Sequence, residues 1–293
     1  MRKQFVKTVE SILEKDEKAI LLLGDIGVFG FRKAFELFPE RVLNIGILEQ
    51  STIGLAAGLS MQGFIPIVHT IAPFLVERSI EQLKDDFCYQ KLGGNFVSVG
   101  SSYDYAALGC THHCPGDVGM LKNIPGMEIA LPGSAEEFDK LFRKSYANGK
   151  PTYFRLSERQ NSKSRNVKFG KAEIVKKGKL ATIIAVGPML ELAMMAAEGL
   201  DVTILYYTTI IPFDKKTLKE NSKSGKILLC EPYYAGALLP EILEALSPKP
   251  VSVKSIGVPS KMMTNYGTAC EHDESIGFTY KNIREKLLKL IKQ

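Results

Sequence analysis

The sequence predicts an α/β protein of two domains, each built on a mostly parallel sheet, and three observations carry that prediction. Its 293 residues exceed the roughly 100–200 of a single domain. Short apolar runs of strand length alternate with longer amphipathic stretches from end to end, the pattern of helices layered on a parallel sheet. One polar stretch near the middle interrupts the alternation.

Taken in order, strands are expected at residues 19–23, 42–45, 65–69, 95–99, 128–130 and 152–155, each a short apolar run. Helices are expected between them at 31–37, 51–61, 79–90, 118–122 and 135–147. The last begins after Ser134 with Glu137 three residues on, a capping-box signature, and stops near Asn148-Gly149. These elements make one complete domain, residues 1–158. The stretch from Ser157 to Lys171 is polar and nearly free of apolar residues, which assigns 159–178 to a linker. A second series then follows within 179–293. Strands at 181–186, 202–206, 227–230 and 251–256 alternate with helices at 189–197 (ending at Gly199) and 238–246, and a basic amphipathic helix at 280–291 closes the chain.

Composition narrows the function classes. With 45% hydrophobic and 24% charged residues, 25 Gly and 14 Pro, the chain is ordinary globular protein, not collagen, a disordered chain or a disulfide scaffold. Five cysteines, an odd number, fit reduced thiols. No apolar run has the length of a membrane span, and the charged start of the chain lacks a secretory signal, so the expected compartment is the cytoplasm. The net charge of +6 is spread thinly, without the basic stripe and interleaved aromatics of a nucleic-acid surface. Such a weak positive field suits an anionic ligand.

Several local patterns carry chemistry. Gly24, Gly27 and Gly30 follow the first strand, but their spacing differs from the dinucleotide fingerprint and no Walker lysine follows. Asp25 stands at the carboxyl end of that strand, where open α/β sheets place functional groups, and a plain turn aspartate is the equal alternative. Glu49 ends the run Asn44-Ile45-Gly46-Ile47-Leu48 just before a helix start rich in small apolar residues. Desolvation there would let it hold or share a proton near neutrality. The alternative is a first-turn glutamate that only complements the helix dipole. The string Cys110-Thr111-His112-His113-Cys114 gathers soft ligands, yet no remote second pair completes a tetrahedral zinc site, so no metal is expected here. His112 reads better as a polar group in an active-site loop.

Together these pieces resemble one family. Leu22-Leu23-Gly24-Asp25, Phe38-Pro39-Glu40-Arg41, Gly46-Ile47-Leu48-Glu49-Gln50 and Ala56-Ala57-Gly58-Leu59 look like the pyrimidine-binding domain of transketolase and 1-deoxyxylulose-5-phosphate synthase. So do Phe74 and Arg78 with Glu81-Gln82, the Gly109–His113 string with Asp117, Ile124-Pro125-Gly126 and Pro132. Ser157 with Arg159-Gln160-Asn161 is similar to a family stretch carrying one residue fewer. Ala185-Val186-Gly187, Glu231-Pro232 and Tyr266-Gly267 resemble the family's carboxyl-terminal domain.

The resemblance implies thiamine diphosphate as cofactor and transfer of a two-carbon ketol or acyl unit between carbonyl compounds. Glu49 would hydrogen-bond N1′ of the cofactor's pyrimidine and so activate the thiazolium C2, with Phe74 stacked on the ring and Asp25 and Arg78 also holding the cofactor. His112 would donate to a substrate oxygen, with His113 beside it, and Arg159 would bind a substrate phosphate. The family's Gly-Asp-Gly motif, which holds the cofactor diphosphate through Mg2+ or a similar divalent ion, is absent here. A separate partner subunit carrying that motif is therefore implied, in an α2β2 heterotetramer in which this chain pairs with its own copy. Two departures bear on substrate. Leu108 replaces an aspartate that reads a donor hydroxyl, and Val28-Phe29 replace a hydroxyl near the substrate phosphate, which points to a 2-oxo acid or a modified sugar. The alternatives are the beta chain of a 2-oxo-acid dehydrogenase first component and a scaffold that has lost the chemistry.

Overall fold

The computed structural model describes residues 1–293, which fold into two sheets flanked by helices. The strands are β1 Ala19–Leu23, β2 Val42–Asn44, β3 Ile65–Ile71, β4 Gly94–Val99, β5 Glu128–Ala130, β6 Pro151–Arg155, β7 Glu173–Lys176, β8 Thr182–Val186, β9 Thr203–Tyr207, β10 Thr209–Ile211, β11 Lys226–Tyr234 and β12 Ser252–Val258. Seven strands form the first sheet in the order β10-β5-β6-β4-β3-β1-β2, and five form the second in the order β12-β11-β8-β9-β7. All pairings are parallel except two edge pairs, β10 on β5 and β7 on β9.

Burial on both faces explains why the strands read as unbroken apolar runs. In β1, Leu21 and Leu23 point into one core, shared with Phe5 and Val9 of helix Arg2–Lys15 and Phe138 and Leu141 of helix Ala135–Ser145. Ile20 and Leu22 point to the other, shared with Ile53 and Ala56 of helix Glu49–Met61. The strand period of two thus sorts the sequence between the layers.

Several expectations are corrected. Helix Arg2–Lys15 was not expected, although Phe5, Val9, Ile12 and Leu13 are buried at helical spacing. The helix expected over 79–90 is one α-turn, Ile80–Gln82, continued by a π-helix over Leu83–Tyr89. Strands β7 and β10 and helices Lys215–Asn221 and Ala269–Ile276 are additional. Half of the expected capping box forms: Ser134 accepts the Glu137 N–H at 3.3 Å, but the Glu137 carboxylate accepts from Gly133 N–H at 2.8 Å and from the Tyr206 hydroxyl at 2.7 Å.

That carboxylate joins the two sheets. Asn161 is buried beside it, donating to the Gly187 carbonyl and to the Tyr206 oxygen, both at 3.2 Å. A Cβ on Gly133 would collide with the Tyr206 hydroxyl and the Asn161 amide, so the joint requires glycine. The polar stretch after β6 is thus anchored at Asn161 and at the buried Val167, with most of its other side chains exposed.

Glu231, in β11, is also buried, with one carboxylate oxygen on the Gly236 N–H and the other without a partner. Burial pushes its carboxyl up from 4.5 to about 8. A raised folded pKa stabilises fully below the unfolded value, and that contribution is lost as pH rises through the folded one. Glu231→Gln, which mimics the protonated acid, is therefore expected to leave stability unchanged below pH 4.5 and to raise it progressively towards pH 8. Chemical denaturation at matched pH measures this, and a difference that stays flat across the window would contradict it.

Candidate active site

Neighbouring parallel strands β2, β1, β3, β4 and β6 all end at one edge of the first sheet, so the loops following them converge. Every site residue expected from the sequence lies on one of these loops or at the first turn beyond it. Asp25 follows β1, Glu49 follows β2, Phe74 and Arg78 follow β3, His112 and His113 follow β4, and Arg159 follows β6.

Asn44 ties the first two loops together. Its Oδ1 accepts the N–H groups of Asp25 at 3.0 Å and Gly46 at 3.3 Å, and its amide donates to the Asp25 carboxylate at 3.3 Å. Asp25 is exposed and holds φ of 64°, a left-handed conformation that aspartate adopts more readily than most residues. This crossed pair fixes the chain a few residues before Glu49.

Glu49 opens its helix and is 3% exposed. Its Oε2 accepts from the Arg78 guanidinium at 2.7 Å, while Oε1 is buried with no partner. The sequence led us to expect an apolar helix start beside the carboxylate; an ion pair to Arg78 stands on one side of it as well. The same guanidinium lies over the Phe74 ring, 4.2 Å from its centroid, and that ring meets His112 edge to face at 5.3 Å. The Thr111 hydroxyl is 3.0 Å from His112 Nδ1. Glu49, Arg78, Phe74 and His112 therefore form one contiguous cluster.

His113 turns the other way. It is 7% exposed and packs at 5.6 Å against His272 of helix Ala269–Ile276, and the Nε2 atoms of both lack partners. Burial, then the neighbouring His272 and His112, hold His113 below the ordinary imidazole range. Sequence reasoning missed His272, and no local motif marks it. Cys110 is exposed, whereas Cys114 is buried, with its thiol 3.5 Å from a Glu77 oxygen and pushed well up by burial.

Arg159 lies outside the Glu49 cluster. Its guanidinium is ion-paired with Asp273 and stands over the Phe278 ring at 5.8 Å. Behind it Asp117 and Arg155 form a buried pair at 2.6 Å, supported by the Tyr153 hydroxyl at 2.8 Å and by Arg155 donating to Ser102 at 2.7 Å. Removing one member of such a pair costs about 3–5 kcal/mol, so these residues hold the loop after β4 in place. Leu108 and Phe29 are 52% and 78% exposed, respectively.

Two mostly parallel sheets, with a buried acid and an aromatic ring where the strands of the first one end, define a two-sheet α/β chain with one cluster of polar and aromatic side chains at a sheet edge. The chain belongs to the transketolase family. The family's pyrimidine-binding domain matches residues 1–163 and its C-terminal domain residues 170–283. A 33.6 kDa protein of the fasciation locus of Rhodococcoides fascians is 36% identical over 97% of this chain and 92% of its own length. One of the subunits of the apulose-4-phosphate transketolase of Phocaeicola vulgatus is 29% identical over 100% and 97%, and a 6-deoxy-6-sulfo-D-fructose transketolase subunit of a Clostridium species is 28% identical over 97% and 92%. Among solved structures, a split-gene transketolase described as an inactive β4 tetramer superposes with a TM-score of 0.86 at 26% identity, over 99% of this chain and 97% of that one. The transketolase of Campylobacter jejuni shares the fold, with a TM-score of 0.82 at 19% identity, and this chain spans 46% of it. No helix is long and apolar enough to cross a membrane.

Proposed function

We propose that this chain is the cofactor-activating subunit of a thiamine-diphosphate-dependent transketolase-like enzyme, moving a two-carbon ketol or acyl unit between carbonyl compounds. The observation that carries the reading is Glu49 Oε1, a buried carboxylate oxygen without a partner, on the residue whose Arg78 partner lies over the Phe74 ring. A flat heteroaromatic ring with a basic nitrogen fits that pair: the oxygen supplies the hydrogen bond and the phenyl face supplies the stack. When bound, thiamine diphosphate supplies a nucleophilic carbon and an electron sink.

The chain's own residues divide the remaining work. Glu49 holds and returns a proton at the pyrimidine nitrogen, and Arg78 orients its carboxylate through Oε2. Phe74 fixes the ring plane. His112 donates to the substrate oxygen on which charge develops, its ring steered by Thr111 and by the Phe74 edge. Asp25, on its rigid turn, and His113 complete the lining. The diphosphate and its Mg2+ or similar ion fall to a separate chain with a Gly-Asp-Gly motif, in an α2β2 assembly. Two relatives of matching length are named as transketolase subunits, and the solved split-gene tetramer of beta chains alone is described as inactive, which supports this division. Those relatives are named for apulose 4-phosphate and 6-deoxy-6-sulfo-D-fructose, which favours a modified sugar over a 2-oxo acid. The exposed Leu108 and Phe29 offer no hydroxyl-reading group and fit either class.

Calorimetry tests the division of labour. Titrated with thiamine diphosphate and Mg2+, the chain alone is expected to give no binding heat, and a mixture with its partner is expected to bind. Tight binding by the chain alone would overturn the split-enzyme reading.

A further inference from the structure

Arg78 reaches the Glu49 cluster from its solvent side. The chain leaving β3 turns helically, with the Val76 N–H donating to the Ala72 carbonyl at 2.9 Å and the Arg78 N–H to the Pro73 carbonyl at 3.2 Å. Phe74 and Arg78, four residues apart on that turn, therefore rise from one face. Phe74 is half-buried and packs against the core that holds Phe5 and Leu21, whereas the Arg78 side chain is 40% exposed. The guanidinium thus stands on the open side of the ring, 4.2 Å from its centroid.

What it does there is what an aminopyrimidine would do. A guanidinium is a flat, conjugated N–C–N group, and this one donates an N–H to Glu49 Oε2 at 2.7 Å while its carbon lies over the phenyl face. A protonated aminopyrimidine carries the same conjugated N–C–N unit, so the same carboxylate and the same phenyl face suit it. The Arg78 guanidinium donates to no other residue. Arg155, by contrast, is held by Asp117 and Ser102 with its side chain 1% exposed. Glu49, buried at its helix start, cannot follow Arg78 outwards, so only the arginine can give way.

We propose that the Arg78 guanidinium is a built-in stand-in for the cofactor's pyrimidine: it covers the Phe74 face and engages the Glu49 carboxylate until the ring displaces it. Glu49 Oε1, which has no partner, is left for the ring nitrogen, so the guanidinium has only to swing off the phenyl face and its bond to Oε2 can persist. The proposal rests on the thiamine-diphosphate reading of the chain. It makes capture of the cofactor a competition with one of the chain's own side chains.

The test uses the chain assembled with its partner but without cofactor, and the probe is 4-amino-2,5-dimethylpyrimidine, the ring alone. Ligand-observed NMR reads its affinity. Arg78→Met, which keeps an apolar stem and removes the planar cation, should bind the probe about tenfold more tightly than the unsubstituted complex, the yield of taking one cation–π contact and one charged hydrogen bond out of the competition. Arg78→Lys, which can keep the bond to Oε2 but offers the ring no planar group, should move affinity the same way by less. Methylguanidinium chloride should refill the place in Arg78→Met and weaken probe binding, whereas sodium chloride at the same concentration should not. Equal or weaker probe binding by Arg78→Met would mean that Arg78 only orients Glu49, and overturns the proposal, as does a methylguanidinium effect no larger than that of sodium chloride. These outcomes leave the cofactor reading standing; probe binding by none of the complexes counts against that reading and removes the proposal with it.

Discussion

Glu49→Gln in the assembled enzyme is expected to lower exchange of the thiazolium C2 proton for deuterium by about 10²–10⁴-fold, the usual worth of a positioned proton carrier. Glutamine matches glutamate in shape, so it can keep the buried position at the helix start and still face Arg78. It cannot hold and release a proton. The loss would therefore fall on activation of the cofactor and not on its binding, and the two are separable: NMR follows exchange, and calorimetry follows affinity. Circular dichroism of the variant checks that the helix starting at residue 49 persists. Exchange at the unsubstituted rate would remove Glu49 from the chemistry and reduce it to the first-turn carboxylate that the sequence also allowed.

His112→Ala should have the complementary signature. Loss of a donor to a developing oxyanion costs about 10²–10³-fold in kcat. The imidazole is half-buried, its edge against Phe74 and its Nδ1 beside the Thr111 hydroxyl, so the deletion removes a held donor and not a mobile one. C2-proton exchange should be unaffected, because Glu49 and Arg78 remain in place. Steady-state turnover with any accepted donor, set against C2 exchange on the same preparation, reads both. A parallel fall in exchange would mean that His112 acts by supporting Phe74 and not through the substrate.

Much of this geometry could be read from the sequence, and the boundary of legibility has a physical cause. Strands β1, β3, β4 and β6 were visible because both faces of the sheet are buried and nearly every position is apolar or small. Asp25, Glu49 and His112 could be placed on loops around strand ends without knowing any distance, because parallel strands send their carboxyl ends to one edge, whereas Phe74 and Arg78 came from the family resemblance alone. Helix Arg2–Lys15 was legible and missed: Phe5, Val9, Ile12 and Leu13 carry the helical period, but charges between them resemble alternation. The π-turns at Leu83–Tyr89 were not legible, since the residues are ordinary helix formers and only packing against neighbours sets the hydrogen-bond register. Arg159 with Asp273, and His113 with His272, join distant parts of the chain, and no spacing rule links them. The Glu49–Arg78 pair was hidden for the same reason: Arg78 reaches it from the loop of another strand.

Strand β10 has a consequence for how such chains can be divided. Its three residues come from the C-terminal portion of the chain, yet they cap the exposed flank of β5 in the N-terminal sheet. The two family domains, matched at 1–163 and 170–283, therefore share the border of one sheet. A fragment ending at the first boundary would carry a bare strand edge, the kind of surface that recruits foreign strands and precipitates. An exchange of C-terminal portions between relatives would transplant not only a second sheet but also the border strip of the first. A C-terminal portion exchanged into this chain would have to bring a three-residue strip that fits its β5.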